Sequence, residues 1–168
     1  MSNIAYRAAG ISLVSALAFG LAPAANAQVL NHKDLSLAMA TTIALTAIET
    51  CKANGYAVSA TVVGRNGEII AQVRGDNSSP HTLENSFRKA YTARAFRAPS
   101  GALVERMKTD PVIGNILHLT NIIALPGALP IKIGEETIGA AGVSGAPGGD
   151  KDEACVKAGI DKIADQLK

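Results

Sequence analysis

Two β-branched runs, Tyr56 to Val63 and Glu68 to Val73, flank Arg65-Asn66-Gly67, and this pattern commits the region to an antiparallel ribbon. Asn and Gly both tolerate the positive φ that a tight hairpin turn imposes. A second ribbon is expected where Leu129 to Ile133 and Thr137 to Val143 flank Gly134-Glu135-Glu136. Asn121 to Ala124, leading into the turn Leu125-Pro126-Gly127, is expected to add a fifth short strand.

Helical segments surround these strands. From Asp34 to Lys52, Leu35, Met39 and Ile43 recur at four-residue steps, and Asn54-Gly55 supplies the stop. A second helix is expected to open at Pro80-His81-Thr82 and run to about Phe96, capped by the Thr82 hydroxyl, with Glu84 at the positive helix end. On its wheel Leu83, Phe87, Ala90 and Tyr91 share one arc, with Arg94 in the middle. Pro99 to Asp110 is expected to be a short irregular or helical connection. A last helix follows Gly145 to Gly149, where Asp150 and Glu153 form a capping-box pattern. The sum is an α/β (α+β) fold, an antiparallel sheet of five strands covered by helices.

The N-terminus suggests export. Arg7 precedes an apolar run from Ala8 to Leu21, and Ala25-Asn26-Ala27 is a small-x-small cleavage site. The run is shorter than the roughly 20 residues a spanning helix needs. The expectation is a signal peptide over 1–27 and a single domain over 28–168, periplasmic or extracellular, with no transmembrane anchor after cleavage. A formal net charge of +2 without a basic stripe argues against a nucleic-acid partner. Tryptophan is absent, so the core must be built from Ala, Ile, Leu and Val, and a carbohydrate site of stacked aromatics is disfavoured.

Cys51 and Cys155 are an even pair in a chain expected to meet an oxidising compartment. A disulfide between them would stabilise by about 4 to 5 kcal/mol in the chain-entropy model. Two buried thiols are the alternative, and neither cysteine carries the spacing of a metal motif.

Chemistry is sparsely signposted. His81 stands at a loop-to-helix junction and His118 in an apolar stretch; either could ligate a metal or haem iron, or serve only as a hydrogen-bonded structural histidine. His32 lies close to the expected mature start. Arg74, Arg88, Arg94 and Arg97 are cationic candidates for haem propionates, and Met107 is a possible soft ligand. Gly145 to Gly149 could cradle a phosphate, but Asp150, Asp152 and Glu153 would repel one. Asp150 with Asp152 could ligate a divalent cation, yet the remaining calcium-loop spacing is missing. No serine has the context of a hydrolytic nucleophile.

Several ordered blocks carry a resemblance. Gly55-Tyr56-Ala57-Val58-Ser59, Arg65-Asn66-Gly67, Pro80-His81-Thr82 with Lys89-Ala90-Tyr91-Thr92-Ala93, and Gly139 to Pro147 followed by Asp150-Lys151-Asp152-Glu153 are similar to the GlcG/HbpS-like haem-binding family, also described as DUF336-like. The similarity spans about Leu35 to Leu167. It implies a profilin-like fold with a five-stranded antiparallel sheet, homo-oligomerisation, and haem binding or haem sensing in exported relatives. His81, His118, Met107, Arg88 and Arg94 are the candidate cofactor-binding residues, with His81 and His118 as candidate metal ligands; Pro80-His81-Thr82 falls in a matching block, whereas His118 and Met107 lie outside the strongest ones. A homo-oligomeric structural or small-ligand module without haem, or an enzyme whose reaction the sequence does not disclose, are the alternatives.

Overall fold

The computed structural model describes residues 28–168, so the expected signal peptide over 1–27 lies outside the described residues. From His32 to Lys168 the chain forms one compact unit. Its four helices and four strands follow in the order α1 (Leu37–Ala53), β1 (Ser59–Val63), β2 (Ile69–Arg74), α2 (Thr82–Phe96), α3 (Ala102–Thr109), β3 (Ala128–Ile133), β4 (Glu136–Ser144) and α4 (Gly149–Asp161). A 3-10 helix, Pro111–His118, follows α3, and a second, Ala164–Gln166, follows α4. No helix among the described residues is long and apolar enough to cross a membrane.

The sheet is antiparallel throughout, in the order β2-β1-β4-β3. Both expected ribbons form, and Gly67 (φ 83°) and Gly134 (φ 58°) take the left-handed conformations their turns require. The expected fifth strand does not form. Asn121 turns the chain with φ 70°, and the segment after it bonds to α2 instead of to a strand: Arg88 donates to the Ile122 carbonyl at 2.8 Å, and the Ile123 N–H donates to Thr92 Oγ1 at 2.9 Å. A short apolar run is satisfied equally well by a helix flank and by a sheet, and periodicity alone does not separate the two.

Period-two alternation sends β1 in two directions. Ala60 and Val62 join Ile43, Ala44, Ala47, Val143 and Val156 in the main core, under α1 and α4. Ser36 caps α1 by accepting from the Met39 N–H, and Gly55 (φ 81°) follows its end as expected. The two helices pack closely because α4 brings a glycine to the contact: a Cβ on Gly159 would lie 2.5 Å from the Ile43 carbonyl oxygen. Cys51 and Cys155 form a disulfide beneath them, with Cα atoms 5.6 Å apart.

The opposite side of β1 meets α2 through hydroxyls. Thr61 Oγ1 and Ser86 Oγ are 2.7 Å apart, and Ser59 Oγ lies 2.8 Å from Thr82 Oγ1. Gln72 on β2 completes the set by donating to Thr61 Oγ1 and to the Leu83 carbonyl. The buried side of α2 is therefore Thr82, Ser86, Lys89, Ala90 and Ala93. Of the residues that share one arc of the wheel, Ala90 is fully buried, while Leu83, Phe87 and Tyr91 stay half-buried on a flank, Phe87 against the small apolar cluster of Val63, Ala90, Ala93, Ala128 and Ala140. Thr82 likewise does not cap the helix; its hydroxyl donates to the Ser79 carbonyl, and His81 occupies the N-cap position without a side-chain bond.

The expected capping box of α4 is redirected in the same way. Gly148 is the N-cap, while Asp152 Oδ2 pairs with Lys89 Nζ at 2.8 Å and Asp152 Oδ1 accepts from the Ala146 N–H. Glu153 accepts from the Gly127 N–H. The Lys89 ammonium also donates to the Val143 carbonyl, so one buried ion pair bolts α2 on one face of the sheet to α4 on the other, around the end of β4. Burial pushes the Asp152 carboxyl above its ordinary range, with the Lys89 hydrogen bond and charge pulling it back down.

Candidate ligand-binding site

The flank that α2 leaves uncovered builds the site. Leu83, Phe87 and Tyr91 follow one another at four-residue steps and so share one side of the helix. Phe87 and Tyr91 meet edge to face with ring centroids 5.9 Å apart. Tyr91 lies across the tip of the β1–β2 hairpin, where a Cβ on Gly67 would come 2.6 Å from its ring. Only glycine satisfies both the turn and that contact.

Beyond Tyr91 the stripe turns cationic. Arg65, Asn66, Gly67, Tyr91, Arg94 and Ala95 line a recess of about 110 Å³. Arg65 is fixed there because its Nη2 donates to the Lys33 carbonyl at 2.6 Å and to Glu136 Oε1 at 2.7 Å. Its Nε, and that of Arg94, are buried without a hydrogen-bond partner. A buried donor left in that state costs about 1–3 kcal/mol. Burial, then the neighbouring charges of Arg97 and Arg65, lower the Arg94 pKa from its ordinary value, and Glu68 opposes them. Glu68 is itself engaged by the Asn66 N–H at 2.9 Å.

The other sequence candidates are dispersed. His81 caps the opposite end of α2 and is exposed, about 20 Å from Arg94 along the helix at 1.5 Å per residue. Arg88 is held by the Ile122 carbonyl and by Glu84 at 3.5 Å, which makes it a clamp for the segment after the 3-10 helix. Met107 is half-buried within the arm formed by α3 and that 3-10 helix, against Gly114. His118 ends the 3-10 helix and is exposed. Val112, Leu117 and Leu119 on the same arm are exposed as well. Among the described residues, no group of three or more His, Cys, Asp or Glu is placed to hold a metal ion.

Arg65 is the residue that sequence reasoning missed. It read as a turn residue, and no local signal marks it, since its partner Arg94 comes from a helix on another part of the chain. A larger recess, about 320 Å³, opens between Ile48, Lys52, Tyr56 and Asp76, but neither unpartnered arginine reaches it.

Helices on both faces of a four-stranded antiparallel sheet define a mixed α/β fold. The family model described as haem degrading protein HbpS-like matches residues 35–161, and the chain belongs to that HbpS-like family. A crystal structure of HbpS is 33% identical, with a TM-score of 0.76, covering 81% of this chain and 94% of its own. A double mutant of HbpS from Streptomyces reticuli is 29% identical over 94% of this chain and 99% of its own, also with a TM-score of 0.76. A PduOC:heme complex shares the fold at 20% identity and a TM-score of 0.69, covering 76% of this chain and 93% of its own. No curated protein matches the chain.

Proposed function

We propose that this protein is an exported haem-binding accessory protein whose occupancy reports haem to a partner. The observation that carries the reading is the α2 flank: an apolar, partly aromatic stripe that ends in two arginines with free, buried donors. Haem has the same polarity, an apolar macrocycle with carboxylates at one edge. Family membership and the heme complex formed by a structural neighbour support the choice of ligand.

The recess of about 110 Å³ is too small for a porphyrin, since cofactor sites occupy roughly 300–1,000 Å³. It fits the carboxylate end alone. Leu83, Phe87 and Tyr91 face the macrocycle, and Arg94 with Arg65 neutralises the propionates. His118 is the favoured iron ligand, because the segment that follows its arm is clamped to α2 at Arg88 and Thr92, roughly one and two turns beyond the start of the stripe, whereas His81 sits at the N-terminal end of the helix. Met107 is occupied by packing within the arm. Haem, when bound, supplies a redox-active iron. The exposed Val112, Leu117 and Leu119 favour a homo-oligomer in which a second copy completes the cover.

Titration of the purified protein with haem is expected to give a saturable Soret shift that His118→Ala weakens more than His81→Ala. Absence of that shift in both redox states at micromolar protein removes the haem reading in favour of a structural or small-ligand module. Decay of the bound Soret band under reductant and oxygen would add haem degradation to binding. N-terminal sequencing of exported protein is expected to begin at Gln28.

A further inference from the structure

We infer that the recess between Arg65 and Arg94 is a carboxylate-binding site that takes a single carboxylate group, from a haem propionate or from a free short-chain acid. The first source rests on the haem reading above; the second is independent of it.

Four observations converge. The Nε–H groups of both arginines are buried and lack an acceptor. Among the described residues Arg94 forms no ion pair, and the nearby carboxylates already have partners, Glu136 on Arg65 and Glu68 on the Asn66 N–H. Arg65 is held by its Nη2, so its guanidinium is fixed at the wall of the recess with no ordering needed on binding. Arg97, left-handed at φ 55° where α2 ends, adds a third positive charge.

Shape selects the anion. The guanidinium edge is a planar fork that matches the two oxygens of a carboxylate. The flat ring of Tyr91, pressed onto Gly67, forms one wall. A planar group slides along such a wall more readily than a tetrahedral oxyanion. The volume of about 110 Å³ holds the acid group and leaves any larger body outside, over Tyr91 and Phe87.

The test follows the arginine Nε–H resonances of the purified haem-free protein by NMR during titration with propionate and, separately, with inorganic phosphate. Saturable propionate shifts at Arg65 and Arg94 are expected, and the Arg65 shift is lost in Arg94→Gln and also in Arg94→Lys, which keeps the charge but not the fork. Shifts with phosphate alone, no shifts at all, or unchanged propionate shifts in both variants overturn the site. A second arm compares haem with its dimethyl ester. If the propionate is the source, Arg94→Gln weakens haem binding by roughly tenfold or more and leaves the ester unaffected. If haem affinity is unchanged while the propionate shift is lost, the source is a free acid. A protein that gives no Soret shift but retains the propionate shifts loses the haem reading and keeps the carboxylate site.

Discussion

The two faces of the sheet are assembled by different physics, although both use side chains from the same short strand. Toward α1 and α4, Ala60 and Val62 enter an apolar core closed by the Cys51–Cys155 disulfide. Toward α2, a small apolar cluster of Val63, Ala90, Ala93, Ala128 and Ala140 is flanked by polar contacts: Ser59 and Thr61 meet Thr82 and Ser86, with Lys89 and Asp152 buried at the edge. Apolar burial is non-directional and tolerates small shifts, whereas each buried hydroxyl or charge needs a partner in a particular place. The polar face therefore fixes the rotation of α2 about its axis. That rotation turns Thr82 and Ser86 inward and leaves Leu83, Phe87 and Tyr91 on the flank where a ligand can reach them.

Breaking the polar face at its ion pair is expected to have the largest effect. Lys89→Ala leaves Asp152 buried without its cation and should destabilise by about 3–5 kcal/mol in denaturant unfolding, while Lys89→Met with Asp152→Leu should recover most of the loss. If the single and double variants are equally unstable, charge pairing is not what joins α2 to α4. The deficit should also depend on pH. Without Lys89 the folded-state pKa of Asp152 rises further above the unfolded value of about 3.9, so the folded protein binds this proton more readily than the unfolded chain. Stability from this group is then fully present below the unfolded pKa and lost as pH rises toward the folded one, and the gap to wild type should narrow on acidification.

The apolar face is tested by Cys51→Ser with Cys155→Ser, expected to cost about 2–4 kcal/mol by freeing the unfolded chain. Because the bridge lies away from the α2 flank, ligand binding by the folded variant should be unchanged; altered binding would show that the faces are coupled. The smallest effect is expected at the hydroxyls. Ser86→Ala should cost about 0.5–1.5 kcal/mol, and adding Thr61→Val should be less than additive, since both members of one hydrogen bond are then gone. Full additivity in thermal unfolding would mean that the 2.7 Å contact contributes no coupling.

Much of the backbone was legible because its signals are local. Asn66-Gly67 and Gly134 dictate turns through their own φ preferences, and the spacing of Leu35, Met39 and Ile43 marks α1 without reference to the rest of the chain. The errors share a cause. Asn121 to Ala124 reads as a strand because it is apolar and leads into a turn, but Arg88 and Thr92 claim its backbone. Asp150 and Glu153 read as a capping box, but Gly148 is the N-cap and the Gly127 N–H claims the Glu153 carboxylate. The wheel of α2 groups Leu83, Phe87, Ala90 and Tyr91, yet only Ala90 is fully buried, because the opposing strand presents the Ser59 and Thr61 hydroxyls. In the candidate site, Arg94 was visible from its place in an apolar arc, while Arg65 was hidden in a turn motif.

Residue order alone determined the two ribbons, the end of α1, the limits of α2 and the availability of one cysteine pair, because dihedral preference and periodicity act over a few neighbouring positions. The tertiary structure decided which side of α2 is buried, that the sheet stops at four strands, and that Arg65 meets Arg94 with both Nε donors free. Those outcomes depend on partners far apart along the chain, and only packing brings such groups within hydrogen-bonding distance.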